Sequence, residues 1–225
     1  MTTREPDPIW TTVDRYIESK LVPTDAALDA ALRASAAGGL PSIQVAPNQG
    51  KLLGLWARAL GARNILEIGT LGGYSTIWLA RALPPGGKVI TLELERKHAD
   101  VALENFVRAG VADRIDVRVG RALDTLPQLA AEQRGPFDFV FIDADKASIP
   151  EYFDWSLKLT RSGSVIVVDN VVRKGALADP DNKDPSVIGV RRFHEIVAAE
   201  PRVSATTVQT VGSKGYDGFA FILVS

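Results

Sequence analysis

Residues 64–75 read NILEIGTLGGYS, an apolar run broken by one acid and followed by three glycines. A glycine-rich turn between a strand and a helix offers bare backbone N–H groups to an anion, so a phosphate is the first ligand to consider. Glu67 argues against it, because a carboxylate in that turn would repel a phosphate. The spacing Gly69-Thr70-Leu71-Gly72-Gly73 also departs from the G-x-G-x-x-G of dinucleotide sites. A ligand with a ribose, no pyrophosphate and a positive charge near Glu67 fits better.

Outward from this stretch, short β-branched runs alternate with helix-length segments. RNILEIG (63–69), KVITLEL (88–94), RIDVRVG (114–120), FDFVFID (137–143) and SVIVVDN (164–170) each read as a buried strand. That rhythm builds βαβ units and a parallel sheet. Two further strand candidates, RVSATTVQTV (202–211) and GFAFILVS (218–225), are joined by a link too short for a crossover helix and pair antiparallel. Before the first strand, Trp10, Val13, Ile17 and Leu21, and again Leu52, Trp56 and Leu60, recur at helical spacing. Residues 1–62 therefore form a helical cap on a core at 63–225, with Thr24 as the N-cap of a helix that ends at GGLP (38–41). The cap's apolar faces cover the sheet or meet a second subunit.

Composition narrows the function. The 225 residues are 46% hydrophobic and 24% charged, as one globular domain requires. Net charge is −1, so no basic surface points to a polyanion, and nucleic acid is not an expected partner. The lack of cysteine removes disulfides, thiolate metal sites and a cysteine nucleophile. The opening MTTREPDPIWTTVDRY has no signal-peptide core, and no apolar run reaches the roughly 18 residues of a membrane span. The expectation is a soluble, cytoplasmic protein with no membrane partner.

In an open parallel sheet, ligands bind at the carboxyl ends of the strands. Those ends carry Glu67, Glu93, Asp143 and Asp169-Asn170. Glu93 reads either as a solvated carboxylate at a helix start or as the acceptor for two ribose hydroxyls, and Glu67 tips the reading to the ribose. S-adenosylmethionine supplies an adenosine, a sulfonium and an ammonium. The glycines would let its methionine part approach the backbone, and the helix start at Gly73–Ser75 would meet its carboxylate. Asp143, Asp169 and Asn170 form an all-oxygen set suited to a hard cation, Mg²⁺ before Mn²⁺ or Ca²⁺. Lys146 alone reads as a helix-start lysine facing water; beside a divalent cation its proton affinity falls and it becomes a general base. His98 and His194 sit in helical charge patterns and read as surface or packing residues.

QGKLL (49–53), ILEIGTLGGYS (65–75), FDFVFIDADK (137–146), VVDNVVRKG (167–175) and YDGFAF (216–221) follow one another as in the divalent-cation-dependent class I O-methyltransferases. The chain resembles that family, which includes catechol and caffeoyl-CoA O-methyltransferases, over nearly its whole length. The resemblance implies an α/β fold with a doubly wound, Rossmann-like, seven-stranded sheet whose last strand is antiparallel, often in a homodimer. It implies S-adenosylmethionine binding by Val45, Glu67, Gly69, Thr70, Ser75, Glu93, Ala122 and Asp143. It further implies metal binding by Asp143, Asp169 and Asn170, with Lys146 as base, and a small phenolic acceptor. Asn48 and VRKG (172–175) depart from the plant pattern and bear on the acceptor. The segment 173–189, rich in Pro, Asp and Gly, reads as a lid over the metal. Rival readings are a tRNA hydroxyuridine methyltransferase, a nicotinamide-dependent dehydrogenase and a non-catalytic adenosine-binding protein.

Overall fold

The computed structural model describes residues 7–225; the start of the stretch read as lacking a signal-peptide core, and of the cap, lies outside the described residues. Three helices come first: α1 (Pro8–Leu21), α2 (Ala26–Ala37) and α3 (Pro47–Ala59). Then β1 (Asn64–Ile68), α4 (Tyr74–Ala82), β2 (Lys88–Glu93), α5 (Arg96–Arg108), β3 (Ile115–Val119), α6 (Ala122–Ala131), β4 (Phe137–Ile142), α7 (Ile149–Lys158) and β5 (Thr160–Asp169) alternate. The chain closes with α8 (Pro185–Ala199), β6 (Val203–Gly212) and β7 (Gly215–Val224). Among the described residues no helix is long and apolar enough to cross a membrane.

The seven strands lie in the order 3-2-1-4-5-7-6. β1 to β5 run parallel, and β7 enters antiparallel between β5 and β6. This is the doubly wound sheet expected from the sequence. The period-two alternation of the strands sorts the core into two layers. Phe139, Phe141, Val165 and Val167 face α3, α4 and α5, whereas Val140, Ile142, Ile166 and Val168 face α6, α7 and α8.

Several boundaries differ from the sequence reading. Asp25, not Thr24, caps α2, its Oδ1 accepting the N–H groups of Ala27 and Leu28 at 3.0 Å each. A carboxylate one position later satisfies two orphan donors at once, which a threonine hydroxyl at 24 does not reach. The link between the last strands shrinks to Ser213-Lys214, because Tyr216, Asp217 and Gly218 already belong to β7. Part of 173–189 is regular: residues 173–178 make short 3₁₀ turns with a kink at Lys174-Gly175, and Asp184 with Pro185 starts α8 inside the expected lid. In α3 the buried seam is Gly50, Leu53, Gly54 and Ala57, and the ring of Trp78 on α4 fills the space that a Cβ on Gly50 would need. Trp56 instead packs on Phe219 and Phe221 of β7, both ring centroids 5.3 Å away. No residue of α1 is buried.

The Asp217-Gly218 pair fastens the hairpin to the sheet. Asp217 Oδ1 accepts the N–H groups of Val172 (3.0 Å), Arg173 (2.9 Å) and Gly218 (3.0 Å). A Cβ on Gly218 would run into the Val208 carbonyl and the Val172 side chain. Gly218→Ala is expected to cost about 1–3 kcal/mol through this overpacking. Urea unfolding of the variant measures it, and an unchanged midpoint would mean that the hairpin has slack there.

Candidate active site

Every feature of the site follows from what stands at the strand ends. After β1 the chain turns at Gly69 (φ 103°), passes Leu71 in the left-handed region (φ 50°) and enters α4 through Gly73 (φ 81°). Gly69 has to be glycine twice over: its φ is one that side-chain-bearing residues rarely adopt, and a Cβ would collide with the carbonyl of Asp143, just after β4. Glu93, at the end of β2, holds the turn. Its Oε2 accepts the N–H groups of Thr70 (3.2 Å) and Leu71 (2.7 Å), and its Oε1 accepts that of Glu95 (2.9 Å).

A cavity of about 790 Å³ opens over these strand ends. That is room for a cofactor-sized ligand with a second small molecule beside it. Of the residues singled out in the sequence, Val45, Gly69, Thr70, Ser75, Glu93, Ala122, Asp143, Lys146 and Asn170 line it. Glu67 and Asp169 stand behind the wall.

Strand alternation explains the position of Glu67. It shares a face with Ile65 and lies opposite Thr91 of β2, so it points at α4. It is 0% exposed and accepts the hydroxyls of Ser75 (2.6 Å), Thr76 (2.5 Å) and Thr91 (2.7 Å). Burial, with a smaller push from the Asp143 charge, raises its pKa to about 7 against the pull of these hydroxyls. Ser75 therefore connects the buried acid to the cavity.

The acidic pair lies on the neighbouring strands. Asp143 follows β4 directly, its N–H donating to the Ile68 carbonyl at 2.8 Å, and its Oδ1 lies 2.8 Å from Lys146 Nζ. Asp169 ends β5 and is 5% exposed. Burial first, then repulsion from Asp143, lifts its pKa to about 7, although Lys146 and hydrogen bonds from the Asn170 N–H and the Gln49 side chain oppose this. Gln49 belongs to the QGKLL stretch but was not foreseen as a contact to the acids. Asn170 adopts φ 57°, a conformation asparagine tolerates better than most, and so turns into the cavity wall.

A buried carboxylate, Asp169, and a half-buried one, Asp143, beside an amide oxygen match what a hard divalent cation needs. Among the described residues no three His, Cys, Asp or Glu side chains gather to hold a metal. An ion here would rest on Asp143, Asp169 and Asn170 alone, with its other positions open to water or ligand oxygens, as Mg²⁺ accepts.

The sequence reading missed part of the wall. His98 is not a plain surface residue: α5 starts just beyond Glu93, so its first turn brings the ring into the cavity, Nδ1 3.4 Å from Glu93 Oε1. His194 is a packing residue, bridging the Val190 carbonyl and Thr207 Oγ1 at 2.8 and 2.9 Å. Tyr152, on α7, also lines the cavity and donates its hydroxyl to Asp145 at 2.5 Å. An apolar-face tyrosine at helical spacing gives no sign of this in sequence.

Comparison with known proteins agrees with this geometry. The sequence profile of a family described as O-methyltransferase matches residues 19–219. A catechol O-methyltransferase from Niastella koreensis is 51% identical over 216 residues, covering 96% of this chain and 98% of the relative. A catechol O-methyltransferase from Mycobacterium tuberculosis is 55% identical over 213 residues, 94% of each chain. The crystal structure of an O-methyltransferase from Bacillus cereus in complex with SAH superimposes with a TM-score of 0.95 at 58% identity, covering 96% of this chain and 99% of that one.

The buried acid sets a pH dependence. A carboxyl whose folded pKa is raised binds its proton more tightly when folded, so stability falls as pH rises from about 4.5 to about 7 and stays low above. Glu67→Gln removes that slope while keeping the shape. The unliganded variant is expected to gain, relative to wild type, on the order of 3 kcal/mol between about pH 5 and about pH 8. Urea unfolding across that range measures it; a gain that does not change with pH would assign the effect to packing and not to charge.

Proposed function

The chain belongs to the O-methyltransferase family and is an S-adenosylmethionine-dependent enzyme of that kind, and we propose that its acceptor is a catechol-like phenol methylated beside a divalent cation. One observation carries this reading: Asp143, Lys146 and Asn170 share a cavity wall with the glycine turn, and Asp169 backs them. A methyl donor on the turn and two vicinal hydroxyls near the acids would thus meet in one water-poor space.

The residues divide the work. Glu93 accepts the ribose hydroxyls at its cavity face while its inner lone pairs keep the turn folded. Ser75, backed by Glu67, meets the ammonium of the methionine part, and the start of α4 meets its carboxylate. Val45 and Ala122 supply apolar contact at the methionine and adenine ends. Asp143, Asp169 and Asn170 would hold Mg²⁺, with Mn²⁺ or Ca²⁺ as substitutes. When bound, such an ion lowers the pKa of an attacking hydroxyl and fixes its direction. Lys146, as the neutral amine once its own proton has passed to solvent, takes the phenolic proton: its side chain is only 10% exposed, and it can leave Asp143 once another cation neutralises that carboxylate. The hydroxyl oxygen then bonds to the methyl carbon as the sulfur–carbon bond breaks, leaving a neutral thioether and a methyl ether.

We also propose a homodimer. Ile9, Val13 and Tyr16 of α1 are exposed, as are Val208 and Val211 of the edge strand β6, and such surfaces favour a partner. Light scattering is expected to give twice 24.2 kDa, and a monomer at micromolar concentration would remove this part of the proposal.

Labelled S-adenosylmethionine with a simple catechol and Mg²⁺ is expected to give a labelled methyl ether, and EDTA to abolish it. Turnover indifferent to EDTA would refute the metal; labelling of tRNA but not of catechol would refute the acceptor. Lys146→Met is expected to lower kcat roughly 10²- to 10⁴-fold while S-adenosylmethionine still binds, as measured by calorimetry.

A further inference from the structure

Arg173 stands at the acceptor end of the cavity, and among the described residues its side chain forms no ion pair. It lines the same wall as Asn170 and Lys146. Its Nε is closed off from solvent and has no hydrogen-bond partner among the described residues. Its backbone N–H is held by Asp217, and its φ of 55° lies in the left-handed region that residues with side chains seldom occupy. The chain therefore keeps this arginine in an uncommon conformation that leaves a buried donor without a partner. A guanidinium on a cavity wall with no ion pair among the described residues is open to an anion that a ligand brings. The other cations of the wall do not share this state: Lys146 is paired with Asp143, and Arg121 is exposed beside Ala122 at the opposite, adenine end.

The missing partner can be described by its chemistry. A guanidinium is a planar fork of donors that fits two coplanar oxygens, as a carboxylate presents them. Asp143, Asp145 and Asp169 already make this end of the cavity acidic, which disfavours a doubly charged phosphate more than a singly charged carboxylate. Building on the acceptor reading above, we propose that Arg173 receives a carboxylate carried by the phenolic acceptor. The preferred substrates are then dihydroxy aromatic acids, and neutral catechols are poorer ones. Arg173 thus acts as a specificity residue that touches the far end of the substrate and takes no part in the methyl transfer.

The test compares 3,4-dihydroxybenzoate with 4-methylcatechol, two acceptors that differ at the position where the charge would sit. Both kcat/KM and binding by calorimetry, in the presence of SAH and Mg²⁺, are measured for wild type, Arg173→Gln and Arg173→Lys. The ratio between the two compounds carries the result, so a general loss in a variant does not enter. Wild type is expected to favour the acid by roughly 10- to 100-fold, the range of a charge-assisted hydrogen bond. Arg173→Gln is expected to bring the ratio near unity, and Arg173→Lys to restore part of it. No preference in wild type, or the same preference in Arg173→Gln, would overturn the assignment. If neither compound is methylated, the catechol reading fails and binding alone decides on Arg173. Binding of the acid that Arg173→Gln abolishes upholds the role, and binding that the variant keeps, or none in wild type, refutes it.

Discussion

Gly69 and the Asp143 carbonyl occupy a space too small for a Cβ, and the site is organised around that contact. It joins the cofactor turn after β1 to the first acidic residue after β4, the two strands between which the winding of the sheet reverses. Asp143 donates its N–H to Ile68, and Gly69 donates its own to Leu92 of β2. Three strand ends are thereby locked within hydrogen-bond distance. A methyl donor on one and an acceptor on the next cannot drift apart unless the sheet itself breaks.

Against this rigid frame, the charges are poorly matched without ligands. Glu67 and Asp169 are buried carboxylates with raised pKa values, and Arg173 keeps a buried donor unpaired. Each costs the unliganded fold some stability, and a ligand group of opposite character would relieve it. Proteins commonly accept such local frustration at binding sites, where stability and function pull in opposite directions. The surrounding layers of Phe139, Phe141, Phe153 and Phe193, fully buried, supply the stability that offsets it.

Much of this was legible in the sequence because it depends on period and punctuation. Alternating β-branched runs gave the strands and their parallel order, and acids at the ends of those runs gave the site. What remained hidden depends on side-chain direction and on contacts distant along the chain. That Glu67 turns to α4 and reaches the cavity through Ser75 follows from its pairing with Thr91, a register known only once β1 and β2 are aligned. His98 read as a surface or packing residue because its helix is charged, and the first turn of α5 brings it over Glu93 at the cavity. The 173–189 segment read as loop since Pro, Asp and Gly abound, although Asp184-Pro185 is equally a helix start. Asp217 gave a motif, and only the fold gives its reason, three backbone donors converging on one oxygen.

The insertion of β7 between β5 and β6 orders events in time. A ribosome releases β5 with Asp169 and Asn170, then the 173–178 turns, α8 and β6, before any residue of β7 exists to pair with them. β6 joins the sheet through β7, and the N–H groups of Val172 and Arg173 are held by Asp217 of β7. The cofactor half, made of β1 to β4, can therefore assemble during synthesis while the acceptor half waits for the final hairpin. The growing polypeptide acquires a place for the methyl donor well before it acquires one for the molecule to be methylated.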